Sequence, residues 1–265
     1  MGALIYGLRR QRQVLSAVIY REAVVRFSGR SLGLLEEVGT IVVHVAMFSA
    51  LRIFAGVEMQ DGMPVLPFIC IGVYNFWIFR TGVFLIPSAI TSIKSYQAYP
   101  QVSPLDLALA RGAVNILLYI FIAIATFLLL ELFGYSPAVG SWSGVLLALI
   151  GSGIYGIGCG LVMAGIFHYL PIVRTVFMIV IIRGLALLAG TFFVYSDLPP
   201  NLRVYAKWIP NLQLNDIARA AYFPSFRENW TSLTYIFSWI GGSLLIGCLV
   251  ERALRSVTIN KKNHL

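Results

Sequence analysis

Charged residues are scarce in this sequence, and their scarcity limits the classes of protein to which it can belong. Only 12% of the 265 residues are charged, about half the share that is usual in a soluble globular domain. Hydrophobic residues make up 58%, and segment 132–173 contains no Asp, Glu, Lys or Arg. The net charge of +9 is spread between apolar runs rather than gathered in one basic patch. These features argue against a soluble domain, a disordered chain and a nucleic-acid-binding module.

Sequence motifs of enzymes and of nucleotide or metal sites are also absent. The chain has no Gly-x-x-x-x-Gly-Lys-Ser/Thr phosphate loop and no serine nucleophile elbow. His44, His168 and His264 lie far apart and have no acidic neighbours at metal-ligand spacing. The three cysteines are scattered through apolar runs, so we expect small buried side chains rather than disulfides or metal ligands. The sequence therefore predicts a chain that is not itself an enzyme and binds no cofactor.

Six apolar segments are long enough to cross a bilayer, which takes about 20 residues of helix. The predicted spans are 38–56, 64–87, 112–133, 144–168, 175–195 and 231–251. The sequence thus predicts an all-α polytopic membrane protein that forms a single transmembrane domain over 1–265.

The distribution of Lys and Arg predicts the orientation of these spans, because cytoplasmic loops are enriched in both residues. Most of them precede the first span, lie in the second-to-third and fourth-to-fifth connections, or follow the last span. The opposite loops 57–63 and 134–143 contain none. Both termini are therefore predicted to lie in the cytoplasm.

Residues 14–31 precede the first span and show a helical pattern of two stripes. The apolar stripe consists of Ala17, Tyr20, Val24 and Phe27, and the opposite stripe of Glu22, Arg26 and Arg30. Spacings of three and four predict a helix. We expect it to lie in the membrane interface with its cations toward lipid phosphates. The alternative is a basic flank that only sets the topology.

Two connections are longer than a turn requires. The cytoplasmic connection 88–110 contains a Ser-Pro-Leu-Asp sequence beginning at Ser103, which is typical of a helix start. Such an elbow can dock a partner, and an ordinary connecting loop is the alternative. The outward connection 196–230 is rich in aromatic residues, and its segments 201–208 and 212–223 predict short re-entrant-like helices in the outer leaflet.

Ionisable side chains within predicted spans are costly at membrane depth and by default indicate function. Helical spacing places Glu37, His44, Phe48 and Arg52 near one face of the first span, and Val73, Phe76, Trp77, Arg80 and Phe84 on one face of the second. Arg183 lies in the middle of the fifth predicted span. Arginines beside aromatic rings suit an anionic sugar polymer, because guanidinium pairs with carboxylate or phosphate.

The candidate residues of a substrate path are therefore His44, Arg52, Phe76, Trp77, Arg80 and Arg183. Structural alternatives remain for the arginines. Arg52 is close enough to the span end to reach the outer interface, Arg80 could pair with Glu36 or Glu37, and Arg183 could form a structural ion pair.

Several segments resemble a known family, the membrane subunits of ABC-type polysaccharide exporters, most closely capsular-polysaccharide permeases of the KpsM type. Segment 99–111 looks like the family's cytoplasmic loop, with a Gln-Val-x-Pro-x-Asp core that leads to an Ala-Arg pair. Segment 21–37 is similar to its interfacial helix and entry to the first span. Segment 210–223 resembles its outward motif. The chain has Val38 where the family usually has Pro, and Asn115 where related chains often have Glu.

The resemblance implies a six-span permease of the bacterial inner membrane that works as a homodimer with two copies of a separate ABC ATPase, which bind ATP and Mg. It implies export of lipid-linked capsular polysaccharide from cytoplasm to periplasm, with periplasmic and outer-membrane export proteins as partners. Matching positions place ATPase coupling at Gln101, Pro104, Asp106, Arg111, Arg26 and Phe27, and the outward motif at Asn211, Asp216 and Arg219.

Other transporter classes are alternatives. A permease of the same kind could export O-antigen, teichoic acid or a small molecule. An ion-coupled secondary transporter would be expected to show inverted repeats or paired acids at membrane depth, and the sequence has no clear repeat and almost no acid at that depth.

Overall fold

The computed structural model describes residues 2–28, 31–92 and 102–263, and this part of the chain is mainly helical. Its α-helices are α1 (Gly2–Ser28), α2 (Ser31–Phe54), α3 (Val65–Thr91), α4 (Pro104–Leu132), α5 (Trp142–Tyr169), α6 (Pro171–Val176), α7 (Ile182–Leu188), α8 (Pro200–Ala206), α9 (Pro210–Tyr222) and α10 (Leu233–Asn263). A short hairpin of β1 (Met59–Gln60) and β2 (Met63–Pro64) joins α2 to α3. Asp61 and Gly62 form its turn with positive φ, as a two-residue hairpin requires.

Five helices in the described part of the chain are long and apolar enough to cross a membrane. The corresponding stretches are Leu35–Phe54, Val65–Thr91, Pro104–Leu132, Trp142–Tyr169 and Leu233–Arg255. They coincide with five of the six predicted spans and confirm the prediction of an all-α polytopic membrane protein.

The fifth predicted span, 175–195, has an interrupted helical structure. A π-helical segment, Phe177–Ile181, separates α6 from α7, and the helix ends at Leu188 rather than near 195. Gly190 then adopts a φ of +74°, a conformation that glycine accepts readily. The end of this segment is therefore set by a turn that the apolar composition does not reveal.

Helix α3 occupies the centre of the molecule, and 72% of its most apolar window is buried. It packs against α4 and α5, while α5 also packs against α10. Gly156 lets α5 approach α3 closely, because a Cβ there would lie 2.5 Å from the carbonyl oxygen of Phe79. The prediction of three buried cysteines holds only for Cys70, since Cys159 is half-buried and Cys248 is exposed.

Helix α1 is longer than predicted, and two residues of its charged stripe bind other helices. It begins at Gly2 rather than at 14, and its residue Val18 is buried in a cluster with Leu107 and Ala108 of α4. The side chains of Tyr20 and Phe27 are exposed. Glu22 and Arg26 face the protein instead of lipid phosphates, because they form ion pairs with Arg111 and Glu37 of other helices. Arg30, the third residue of the predicted stripe, lies outside the described residues.

The outward connection contains the two predicted short helices, α8 and α9. Pro210 is the first residue of α9, where its fixed φ and missing N–H are best tolerated. Most side chains of α9 are buried against α3 and α5. The connection therefore contributes to the packed core, and its depth in the outer leaflet stays a prediction.

Candidate functional site

An arginine–aromatic cluster lies between α2, α3 and α7. It consists of His44 from α2, Trp77, Arg80 and Phe84 from α3, and Arg183 from α7. The Cζ atom of Arg80 lies 4.6 Å from the centre of the Trp77 ring and 5.7 Å from that of Phe84. The His44 ring packs edge to face against Trp77, with 4.8 Å between the ring centres. The structure thus brings together three residues of the predicted path, His44, Trp77 and Arg80.

Neither arginine of this cluster forms an ion pair with a carboxylate in the part of the chain that the structure describes. Glu37, one predicted partner of Arg80, binds Arg26 instead. Arg183 is exposed, and its charge lies close enough to Arg80 to repel it. A guanidinium at the centre of a spanning helix, where Arg80 lies, costs about 2.5–3.5 kcal/mol. The Trp77 and Phe84 rings offset part of this cost.

Two other residues predicted for the path have different surroundings. Phe76 is only 4% exposed and packs in a core cluster with Phe79. Arg52 donates hydrogen bonds to Gln60 Oε1, at 2.7 Å, and to the carbonyl oxygen of Phe192. It joins the end of α2 to the hairpin and to the segment after α7. Whether it reaches the outer interface stays a prediction.

A ladder of polar contacts ties α1 to its neighbours on the predicted cytoplasmic side. Arg111 Nε of α4 donates to Glu22 Oε2 at 2.8 Å. Arg26 Nη2 donates to both carboxylate oxygens of Glu37 in α2, at 2.7 and 2.9 Å. It also donates to Asn115 Oδ1 of α4 at 3.3 Å. Arg26 therefore links three helices, a contact that no spacing within one helix could have predicted.

Asp106 accepts a hydrogen bond from α1 and caps the start of α4. Its Oδ2 atom accepts hydrogen bonds from the Ser103 backbone N–H, at 2.9 Å, and from Ser103 Oγ, at 2.7 Å, and Gln11 of α1 donates to Oδ1. Ser103 and Asp106 form a capping box, with Pro104 at the first helical position. The predicted helix start is confirmed, and the carboxylate is buried inside the chain.

The remaining predicted coupling residues differ in their surroundings. Phe27 is 45% exposed, so it is available to a partner or to lipid. Gln101 lies outside the described residues. The roles of these residues in ATPase coupling stay predictions.

The outward motif forms a buried clamp rather than an exposed surface. Asp216 and Arg219 are fully buried, and Arg219 Nη1 donates to Asp216 Oδ1 at 3.2 Å. The same guanidinium donates to the carbonyl oxygens of Phe193 and Thr191, and its Cζ atom lies 3.8 Å from the centre of the Phe68 ring. Arg219 therefore holds the segment after α7 against α3.

Asp216 completes this clamp on the other side. Its Oδ2 atom accepts hydrogen bonds from the Tyr195 backbone N–H and from Trp230 Nε1, each at 3.1 Å, and the Tyr195 and Trp230 rings stack 4.0 Å apart. Burial raises the pKa of Asp216, against the opposing effects of Arg219 and these donors. Burial lowers the pKa of Arg219 to about 10, so the guanidinium stays charged at neutral pH. Asn211 is also buried.

Sequence reasoning did not identify Thr81 and Tyr119 as site residues. Thr81 follows Trp77 by four residues and shares its helix face, which is a signal that spacing could have provided. Tyr119 belongs to α4, and its 3.0 Å hydrogen bond with Thr81 depends on how two helices pack. Such a contact has no sequence pattern.

Fold and site together define a class: a polytopic helical membrane protein with an arginine, Arg80, that lies beside aromatic rings of a spanning helix and has no carboxylate partner among the described residues. No family model matches the chain. The chain is 25% identical over 256 residues to the polysialic acid transport protein KpsM of Escherichia coli, a match that covers 93% of this chain and 95% of that protein.

A second relative has a related name. The chain is 26% identical over 220 residues to the capsule polysaccharide export inner-membrane protein CtrC of Neisseria meningitidis serogroup B, a match that covers 81% of each chain. These similarities over most of the chain support the predicted resemblance to KpsM-type permeases.

Proposed function

We propose that the chain is the transmembrane subunit of an ATP-driven exporter that moves lipid-linked capsular polysaccharide from the cytoplasm to the periplasm. The observation that carries this proposal is the similarity over most of its length to two proteins named for polysialic acid transport and capsule polysaccharide export. The five apolar helices of the described chain support a multi-pass location in the inner membrane.

The arginine–aromatic cluster supports a path for an acidic polymer. In a homodimer, α2, α3 and the helical run 171–188, which acts as the sixth span, line a conduit into which Arg80 and Arg183 project. Water in the conduit offsets the cost of their charges, and a passing carboxylate or phosphate pairs with the guanidinium. Trp77 supports sugar rings without fixing one register of the polymer.

The polar ladder supports coupling to a separate ATPase. The chain has no phosphate loop, so two copies of an ABC ATPase bind ATP and Mg and hydrolyse the nucleotide. They contact α1 and the elbow that leads into α4, on the cytoplasmic side where both termini lie. Because Gln11 and Glu22 tie α1 to α4, a push on either element moves both. Periplasmic and outer-membrane export proteins receive the polymer.

Deletion of the encoding gene tests this function in the producing strain. We expect surface polysaccharide to disappear and to accumulate inside the cell, and plasmid-borne wild-type chain to restore it. A variant of the partner ATPase without its phosphate-loop lysine should give the same phenotype. Unchanged surface polysaccharide in the deletion strain would contradict the proposal, and loss of O-antigen or teichoic acid instead would identify one of the alternative cargoes.

A further inference from the structure

A polar cavity lies between α2, α3 and α4, beside the arginine–aromatic cluster. Its volume is about 200 Å³. It is lined by Glu36, Glu37 and Thr40 of α2, Trp77 and Thr81 of α3, and Tyr119 of α4. All three helices contain stretches long and apolar enough to cross a membrane. The cavity is open to the surface, and Glu36 and Glu37 lie at the start of the first of these stretches.

The groups that line this cavity have different capacities for a ligand. The hydroxyls of Thr81 and Tyr119 share one hydrogen bond, 3.0 Å long, and each keeps an acceptor site free. Glu37 is neutralised by Arg26, which binds both of its oxygens. Glu36 is exposed and forms no ion pair among the described residues. The cavity thus offers hydroxyl and carboxylate oxygens beside one indole ring.

A hydroxylated ring fits this combination better than a lipid chain does. Hydrocarbon would leave the oxygens without hydrogen bonds, which is costly in an apolar medium. A sugar ring presents several hydroxyls as donors, and its C–H face packs on an indole. Arg80, which lies against Trp77 at 4.6 Å, is placed to take an acidic substituent of the same or the next sugar.

We propose that this cavity is a sugar-binding subsite that holds one hydroxylated residue of the exported polymer. Glu36, Thr81 and Tyr119 bind its hydroxyls, and Trp77 contacts the ring. The inference rests on the proposed function and deepens it, because it assigns recognition of the neutral part of each sugar to α2, α3 and α4, and recognition of the acidic part to Arg80.

Binding of a defined probe tests the subsite. The probe is the mixture of oligosaccharides that mild acid releases from the strain's own surface polysaccharide, and the protein is the complex of the full chain with its ATPase in lipid nanodiscs. Thr81→Val and Tyr119→Phe remove hydroxyls with little change of shape. Each should weaken probe binding roughly two- to tenfold, as expected for the loss of one hydrogen bond.

The chain offers a matched control pair. Tyr74 of α3 and Thr126 of α4 form the same kind of hydrogen bond, 2.6 Å long, away from the cavity. Tyr74→Phe and Thr126→Val should leave probe binding unchanged. Equal weakening by the two pairs, or no weakening by either, would overturn the subsite.

A second set of variants does not depend on the hydroxyl pair. Thr40→Trp should fill the cavity and abolish probe binding, whereas Val43→Trp, at a position that is 63% exposed, should not. Glu36→Gln, on an exposed side chain, should weaken binding without affecting folding. Probe binding that survives both Thr40→Trp and Glu36→Gln would also reject the inference.

Surface polysaccharide in cells separates this inference from the proposed function. If export needs the chain but the cavity variants behave like their controls, the subsite is wrong and the exporter function stands. If the deletion strain exports normally, the exporter function itself is wrong.

Discussion

Two arginines that precede and follow the turn after α7, Arg183 and Arg219, differ in their neighbours. Arg219 is fully buried, pairs with Asp216 and donates to two backbone carbonyls. Arg183 is exposed and has no carboxylate partner among the described residues. We propose that Arg219 is structural and that Arg183 lines the polymer path.

Loss of Arg219 should destabilise the protein. Arg219→Ala leaves Asp216 as a buried charge without its partner, and breaking a buried pair in this way costs about 3–5 kcal/mol. The free energy of unfolding, measured by denaturant titration in detergent, should fall by this amount. Arg227→Ala is the control, since Arg227 is exposed, and equal stability of the two variants would contradict the structural role.

Loss of Arg183 should impair export rather than folding. Arg183→Ala is expected to lower surface polysaccharide, with normal amounts of folded permease in the membrane, if the cargo is acidic. Arg183→Lys should restore export partly, because charge survives but bidentate pairing does not. Arg174→Ala, on an exposed side chain of the same helical run, is the control. A folding or dimerisation defect in Arg183→Ala would favour a structural ion pair instead.

The roles of single residues could be predicted only where the interacting residues lie on the same helix. Helical spacing correctly placed Trp77 and Arg80 together on α3. It could not show that Glu37 binds Arg26 of another helix rather than Arg80. It also could not show that Asp216 and Arg219 are buried, because their burial depends on the packing of α9 against α3 and α5.

At the scale of elements, hydrogen bonds and an ion pair attach α1 to α4. The contact residues of α1, Gln11, Glu22 and Arg26, lie along one face of the helix, and the exposed face carries Tyr20 and Phe27. If the proposed ATPase moves α1, we expect the start of α4 to move with it, and α2 to follow through Arg26.

Reversal of the charge at Arg111, which pairs with Glu22, should uncouple ATP hydrolysis from export. Arg111→Glu places two carboxylates together at Glu22, so the complex should still hydrolyse ATP while it exports less polymer per ATP. The double variant Glu22→Arg with Arg111→Glu should recover part of the loss, with a coupling energy for folding of about 0.5–3 kcal/mol. Additive defects in the double variant would show that Arg111 and Glu22 do not act as a pair.

Close packing of α5 on α3 should be sensitive to a single methyl group. Gly156→Ala places a Cβ 2.5 Å from the carbonyl oxygen of Phe79, and such overpacking costs about 1–3 kcal/mol. Gly241→Ala is a matched control in α10, where no atom lies within 4 Å of the added Cβ. Thermal unfolding in detergent should show a lower midpoint for the first variant alone, and equal midpoints would contradict the packing.

Elements were predictable where apolar composition alone defines them. Five spans follow from runs of hydrophobic residues, and Ser103 with Pro104 correctly predicts the start of α4. The early end at Leu188 was not predictable, because Arg219 and Asn215 bind the carbonyl oxygens of the turn that follows α7. These bonds come from a distant part of the chain.

At the scale of the whole molecule, composition determined the membrane class, and helix packing created the site. The cluster around Arg80 and the cavity beside Trp77 both form where α2 meets α3. In the function that we propose, a second copy of the chain and a separate ATPase complete the exporter.

ATP-dependent uptake of polymer into inverted membrane vesicles tests this account most directly. Lipid-linked polysaccharide that enters the vesicle lumen becomes protected from an added glycosidase. We predict protection that requires the chain, its ATPase partner and hydrolysable ATP, and that persists when the proton gradient is collapsed. Protection that is driven by a proton gradient without ATP, or that is unchanged in vesicles lacking the chain, would contradict the account.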